Sequence, residues 1–145
     1  FGCTKEITPG FLAILSSAWN ALLHGGSLDD IRLAYVGLGV ISPDLGQQQF
    51  ERELMPAMTP IVNWQLEPFR ASPFDFSRRS PVPVPDKESS ATLARFSSGM
   101  HPDLPYFDRA YVGIMQMLAA MGARVVTENQ WIKVSRKKEA TSRAR

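Results

Sequence analysis

Five of the eleven prolines, Pro68, Pro73, Pro81, Pro83 and Pro85, fall within residues 67–86. Proline has no backbone N–H and its ring crowds the preceding turn, so neither a helix interior nor a central strand can run through such a stretch. The chain is therefore expected to carry a long irregular segment over 67–86 within its structured part. Within it, the alternation Pro81-Val82-Pro83-Val84-Pro85 predicts extended, polyproline-like backbone. Phe69, Phe74 and Phe76 are expected to pin the segment to the body. Loops of this length are usually functional or mobile.

On either side the apolar residues recur at helical spacing. Thr8-Pro9 supplies a hydroxyl cap and a proline at the first helical position. Phe11, Leu12, Leu15, Ala18, Trp19, Leu22 and Leu23 then define one wide apolar face, ended by Gly25-Gly26. Ser27-Leu28-Asp29-Asp30 resembles a capping box, with Asp reaching less far than Glu. It predicts a second helix from Leu28 to about Leu38, with Ile31, Ala34, Tyr35 and Leu38 inward and Gly39 as its stop. Ser42-Pro43-Asp44 opens a third stretch, Leu45 to Glu67, expected to split into two short helices near Met55-Pro56 because of Pro56 and Pro60. Asp86 to Ser98 predicts a helix with Ala91, Leu93, Ala94 and Phe96 inward. His101-Pro102-Asp103 opens the last helix, whose apolar positions are Leu104, Phe107, Tyr111, Ile114, Leu118 and Met121, and Gly122 closes it. Pro105 lies in its first turn. Gly113, mid-helix, is expected where another helix packs closely. No pair of β-patterned runs is long enough to predict a sheet. The expectation is an all-α fold of about five or six helices over residues 1–131.

With 145 residues and 44% apolar content, the chain fits one domain able to bury a core. No run of eighteen apolar residues predicts a membrane span. The first residues lack a basic n-region and an apolar h-region, so no secretory signal is expected. Cys3 is the single cysteine, which excludes an internal disulfide and a cysteine metal cluster and favours a reducing, intracellular compartment. The net charge of +2 hides an asymmetry. Residues 132–145 hold six basic residues and one acid, against ten basic and thirteen acidic residues in the rest. This basic tail reads first as a solvated, disordered end. The alternative is contact with an anionic membrane surface. Nucleic acid is not expected as a partner, because no aromatic residue is interleaved after Trp131.

Individual residues carry few signals of chemistry. Cys3 reads as a small half-buried residue before it reads as a reactive thiol beside Lys5. His24 stands at a helix end, where an imidazolium suits the dipole, and His101 is a helix-start residue. Two histidines so placed make no zinc site. Asp29-Asp30 complement a helix N-terminus. Trp19, Trp64 and Trp131 read as core anchors, and Met115, Met117 and Met121 as soft packing on one helix.

Several stretches together resemble the C-terminal region of the UbiB/AarF-type atypical-kinase family. Phe1-Gly2-Cys3-Thr4-Lys5 looks like the exit of an Asp-Phe-Gly metal-binding turn, in which the Asp holds Mg²⁺ against nucleotide phosphates. Phe11 through Gly39 looks like the helix pair that follows. Glu67-Pro68-Phe69 with Pro73-Phe74-Asp75-Phe76 looks like the Phe-rich connection. In His101 through Arg124, Pro102, Phe107, Arg109, Gly113, Leu118 and Gly122-Ala123-Arg124 fit the pattern of the closing helix. The resemblance implies the helical C-terminal part of a protein-kinase-like C-lobe and makes a structural ion pair expected for Arg109.

The resemblance also implies an ATP- and magnesium-dependent kinase or ATPase linked to quinone or isoprenoid-lipid metabolism. Its Lys-Gly-Gln segment, Ala-rich nucleotide loop, nucleotide-binding Lys and catalytic-loop Asp belong upstream of the metal turn, and none occurs here. Phe1 and Gly2 would be only neighbours of a metal-binding Asp one residue upstream. The expectation is a C-terminal fragment without catalytic residues, cofactor or metal of its own. Its partner would be an N-terminal kinase-like region, and it could lie peripheral to a membrane. The alternative is a stand-alone, non-catalytic helical interaction module.

Overall fold

The computed structural model describes residues 4–128. It is mostly helical, with a single two-stranded ladder among the described residues. Helix α1, Pro9–His24, starts as expected. The Thr8 hydroxyl accepts from the Phe11 N–H and Pro9 occupies the first turn. It stops at Gly25, whose φ of 75° is left-handed and whose N–H reaches the Ala21 carbonyl. Phe11, Leu15, Ala18 and Trp19 are buried on one face. Helix α2, Leu28–Gly37, packs against α1 and closes both halves of its capping box despite the short aspartate. Ile31, Ala34, Tyr35 and Leu38 point inward as their spacing requires. Gly39 follows at φ 69°, and a Cβ there would stand 3.1 Å from the His101 nitrogen. Only glycine tolerates both the dihedral and the approach.

The stretch expected to split at Met55-Pro56 instead continues. Helix α3, Gln47–Gln49, runs into a π-helical turn, Phe50–Leu54, and then into α4, Met55–Leu66. The Met55 N–H bonds the Phe50 carbonyl, five residues back. A widened turn accommodates the ring of Pro56, which lacks a donor and would crowd a regular turn. Pro60 lies inside α4, where the Thr59 hydroxyl donates to the Met55 carbonyl at 2.6 Å.

The proline-rich segment is irregular but tied down. It holds a 3₁₀ turn at Glu67–Phe69, strand β1 at Phe74–Asp75 and a second 3₁₀ turn at Phe76–Arg78. Strand β1 pairs antiparallel with β2, Arg124–Val125, with Phe74 opposite Val125 and Asp75 opposite Arg124. This ladder corrects the expectation of no sheet. Two-residue strands some fifty positions apart leave no local alternation to read. Phe76 is buried and Phe74 meets it edge-on at 4.9 Å, while Phe69 lies 5.2 Å from the Trp19 ring. All three phenylalanines thus anchor the segment as expected.

Helix α5, Lys87–Phe96, buries no residue fully. Leu93 and Phe96 are half-buried, but Ala91 and Ala94, expected inward, are exposed. Helix α6, Leu104–Ala120, buries Leu104, Tyr111 and Met115, with Phe107 and Leu118 packed alongside. Ile114, Met117 and Met121 face outward at 55%, 64% and 66% exposure, against the expectation for all three. The buried stripe passes through Met115 instead of Ile114, about 100° around the helix. Gly113 lies on the exposed side with nothing within 4 Å of an added Cβ, so the close helix approach expected there is absent.

Candidate functional site

Segment 4–8 has no regular structure, and side chains fix it to the start of α6. Lys5 Nζ lies 2.6 Å from Asp103 Oδ1. Asp103 Oδ2 accepts from the Thr8 backbone N–H at 3.0 Å and the Thr8 hydroxyl at 2.7 Å. Asp103 is 2% exposed. Lys5 also donates to the Pro102 carbonyl at 3.0 Å and sits 4.3 Å from the Tyr106 ring centroid. The Lys5 ammonium, then the Thr8 hydroxyl and N–H, hold the Asp103 carboxyl well below the usual carboxylate range. His101 turns its Nδ1 to the Asp103 N–H at 3.2 Å and packs its ring on Phe11 at 5.0 Å. It is the helix-start residue its position suggested. Asp103 makes no side-chain cap on α6 itself; its oxygens serve the cap of α1.

A second cluster holds the proline-rich segment. Trp64 Nε1 donates to the Ser80 carbonyl at 2.9 Å. The Arg79 guanidinium lies 4.2 Å from the Trp64 ring centroid and donates to the Trp64 carbonyl at 2.9 Å. The Tyr111 hydroxyl donates to the Gln65 carbonyl, and burial pushes its pKa up to about 12. These contacts pair most of the buried polar groups here and so act as structure, though the Arg79 Nε is left without a hydrogen-bond partner.

Between α1, α2, α4 and α6 lies a cavity of about 210 Å³. Trp19, Val62 and Phe107 supply apolar wall, and the polar lining residues are Tyr35, Gln65 and Asp108. Burial raises the pKa of both the Tyr35 hydroxyl and the Asp108 carboxyl. Sequence reasoning placed Tyr35 in the core and overlooked Asp108. The available signal was an acid on the stripe Leu104, Asp108, Tyr111, Met115, which is otherwise apolar.

Among the described residues, those singled out from the sequence are not gathered into a catalytic constellation. Phe1, Gly2 and Cys3 lie outside the described residues, as do Trp131 and the basic tail at 132–145. Trp19 and Trp64 are core anchors as expected. Asp30 closes its capping box and Asp29 pairs with Arg32 at 3.0 Å. His24 ends α1, at the other end of the helix from His101 and Asp103. Arg109 is exposed and forms no ion pair among the described residues, against the expectation from the resemblance. Among the described residues no three His, Cys, Asp or Glu side chains come together as metal ligands. Lys5, in the stretch resembling the metal-turn exit, is committed to Asp103 and Pro102. No described helix is long and apolar enough to cross a membrane. No family model, curated protein or solved structure matches this chain.

Proposed function

We propose that the chain works as a helical scaffold without phosphotransfer chemistry of its own, the part that follows the metal-binding turn in a kinase-like protein of the UbiB/AarF type. In this reading the nucleotide and magnesium ligands lie in a preceding region. The whole protein is an ATP-dependent kinase or ATPase in quinone or isoprenoid-lipid metabolism. The observation that supports it best is the Lys5–Thr8–Asp103 clamp. The segment leaving Phe1-Gly2 is held by a buried carboxylate at the start of the closing helix. Such a clamp would fix the exit of a metal turn relative to the helical body, and phosphoryl transfer depends on that kind of positioning. An anionic membrane surface is the partner proposed for the basic tail.

The test has two arms. The codon preceding Phe1 in the encoding DNA should specify Asp. Calorimetric titration of Mg-ATP should give no binding to chain 1–145 and saturable binding to the chain carrying its upstream region. A different residue before Phe1, or micromolar binding to 1–145 alone, overturns the reading.

One observation favours the second reading, a stand-alone interaction module. Tyr106, Ile114, Met117 and Met121 form an exposed, largely apolar stripe along α6.

A further inference from the structure

Apolar cavities of about 150 Å³ hold a benzene ring. The cavity between α1, α2, α4 and α6, at about 210 Å³, has room for one six-membered ring with a short arm. Met100, 58% exposed, and half-buried Asp108 are among its lining residues, so it reaches the surface. Trp19 and Phe107 offer ring surface of the kind an aromatic guest stacks on or meets edge-on.

The polar groups set the chemistry of the guest. Tyr35 is 8% exposed, and its hydroxyl makes no hydrogen bond among the described residues. The Asp108 carboxylate has no hydrogen bond or ion pair among them either. No cation among the described residues pairs with it: the adjacent Arg109 is exposed and makes no ion pair, Lys5 pairs with Asp103, Arg32 with Asp29, Arg95 with Glu53, and Arg79 lies against Trp64. A half-buried carboxylate without a cation, at the edge of an apolar cavity, is matched by an ammonium on a ring-sized body.

We infer that this cavity binds a small aromatic amine, one ring carrying a primary ammonium on a short alkyl arm. The ring lies among Trp19, Val62 and Phe107. The ammonium meets Asp108, and Tyr35 and Gln65 supply the remaining hydrogen-bonding groups. The pairing is reversible binding, with no covalent step.

The probes are 2-phenylethylamine and its neutral analogue 2-phenylethanol, titrated calorimetrically into chain 1–145 near neutral pH. The amine should bind saturably and the alcohol about tenfold more weakly or worse, the difference a charge-assisted hydrogen bond makes. Asp108→Asn keeps the side-chain shape. It should lose about that tenfold for the amine and leave the alcohol unchanged. Ala18→Leu, which puts bulk into the cavity wall, should abolish binding of both. Should that variant not fold, the amine-induced shift of the Trp19 indole resonance in the unaltered chain is read in its place, and it should saturate with the calorimetric isotherm. No saturable binding of the amine, equal affinity for the alcohol, an Asp108→Asn variant that binds the amine as the parent does, or an unmoved Trp19 resonance overturns the inference.

Discussion

Asp103 stands directly before α6, where an aspartate ordinarily caps its own helix, yet its oxygens are spent on Lys5 and Thr8. One carboxylate thereby joins residues 95 and 98 positions apart in the chain. Its folded-state pKa lies below its ordinary value of 3.8, so the folded protein binds fewer protons than the unfolded chain as the pH drops. The stabilisation is fully present above about pH 4 and is lost as pH falls through the folded value. Asp108 works in the opposite sense. Its pKa is raised by burial, so acid relieves a penalty there. Comparing the parent with Asp103→Asn cancels the Asp108 contribution. In urea titrations the variant should unfold earlier at neutral pH, and the gap should narrow progressively as the pH falls below about 4. A gap constant down to pH 2 would mean that the charge of Asp103 is not what holds the clamp.

Helix α6 shows what periodicity resolves within one element and what it leaves open. Its existence and ends follow from Pro102, Pro105 and Gly122, but its apolar residues cover more than half the circumference. Which of them face inward depends on where α1 and the 67–80 segment lie. Burial falls on Leu104, Tyr111 and Met115, so Gly113 is left on the open side. Glycine there retains its entropic cost without a packing reason. Gly113→Ala should therefore stabilise the protein by about 0.5–1 kcal/mol, read as a higher urea midpoint at unchanged slope. A lower midpoint would show that a neighbour does approach this face.

At the scale of the described fold, the Trp19 ring ties distant elements together. It lies 5.2 Å from Phe69, 5.9 Å from Phe107 and 5.6 Å from Tyr111, joining α1, the proline-rich segment and α6. The side chain is 6% exposed and also borders the cavity of about 210 Å³. Trp19→Ala would enlarge a void the structure already contains, at a cost of about 3–5 kcal/mol. Domains of this size are stable by only about 5–15 kcal/mol, so the variant should unfold at much lower urea and release both chain halves together. A midpoint within error of the parent would place Trp19 outside the core.

Much of the architecture is local, and the sequence alone determined it. Thr8-Pro9, Ser27 with Asp30, Gly25 and Gly122 act through their own backbone and the next few residues, so helix ends are written where they occur. The inward faces of α1 and α2 are equally legible, because each has one apolar side. The tertiary structure decided whatever joins distant positions. The β1–β2 ladder, the Lys5–Thr8–Asp103 clamp and the cavity around Tyr35 and Asp108 each bring together residues from separate elements. The π-helical turn before Pro56 is a compromise between a missing donor and a helix that packing keeps continuous. The choice of Met115 over Ile114 on α6 turns on a rotation that only its neighbours fix. Helix signals decay within a turn or two of their residues. The free energy that sets register and assembles sites comes from burial between elements, and no local pattern encodes that.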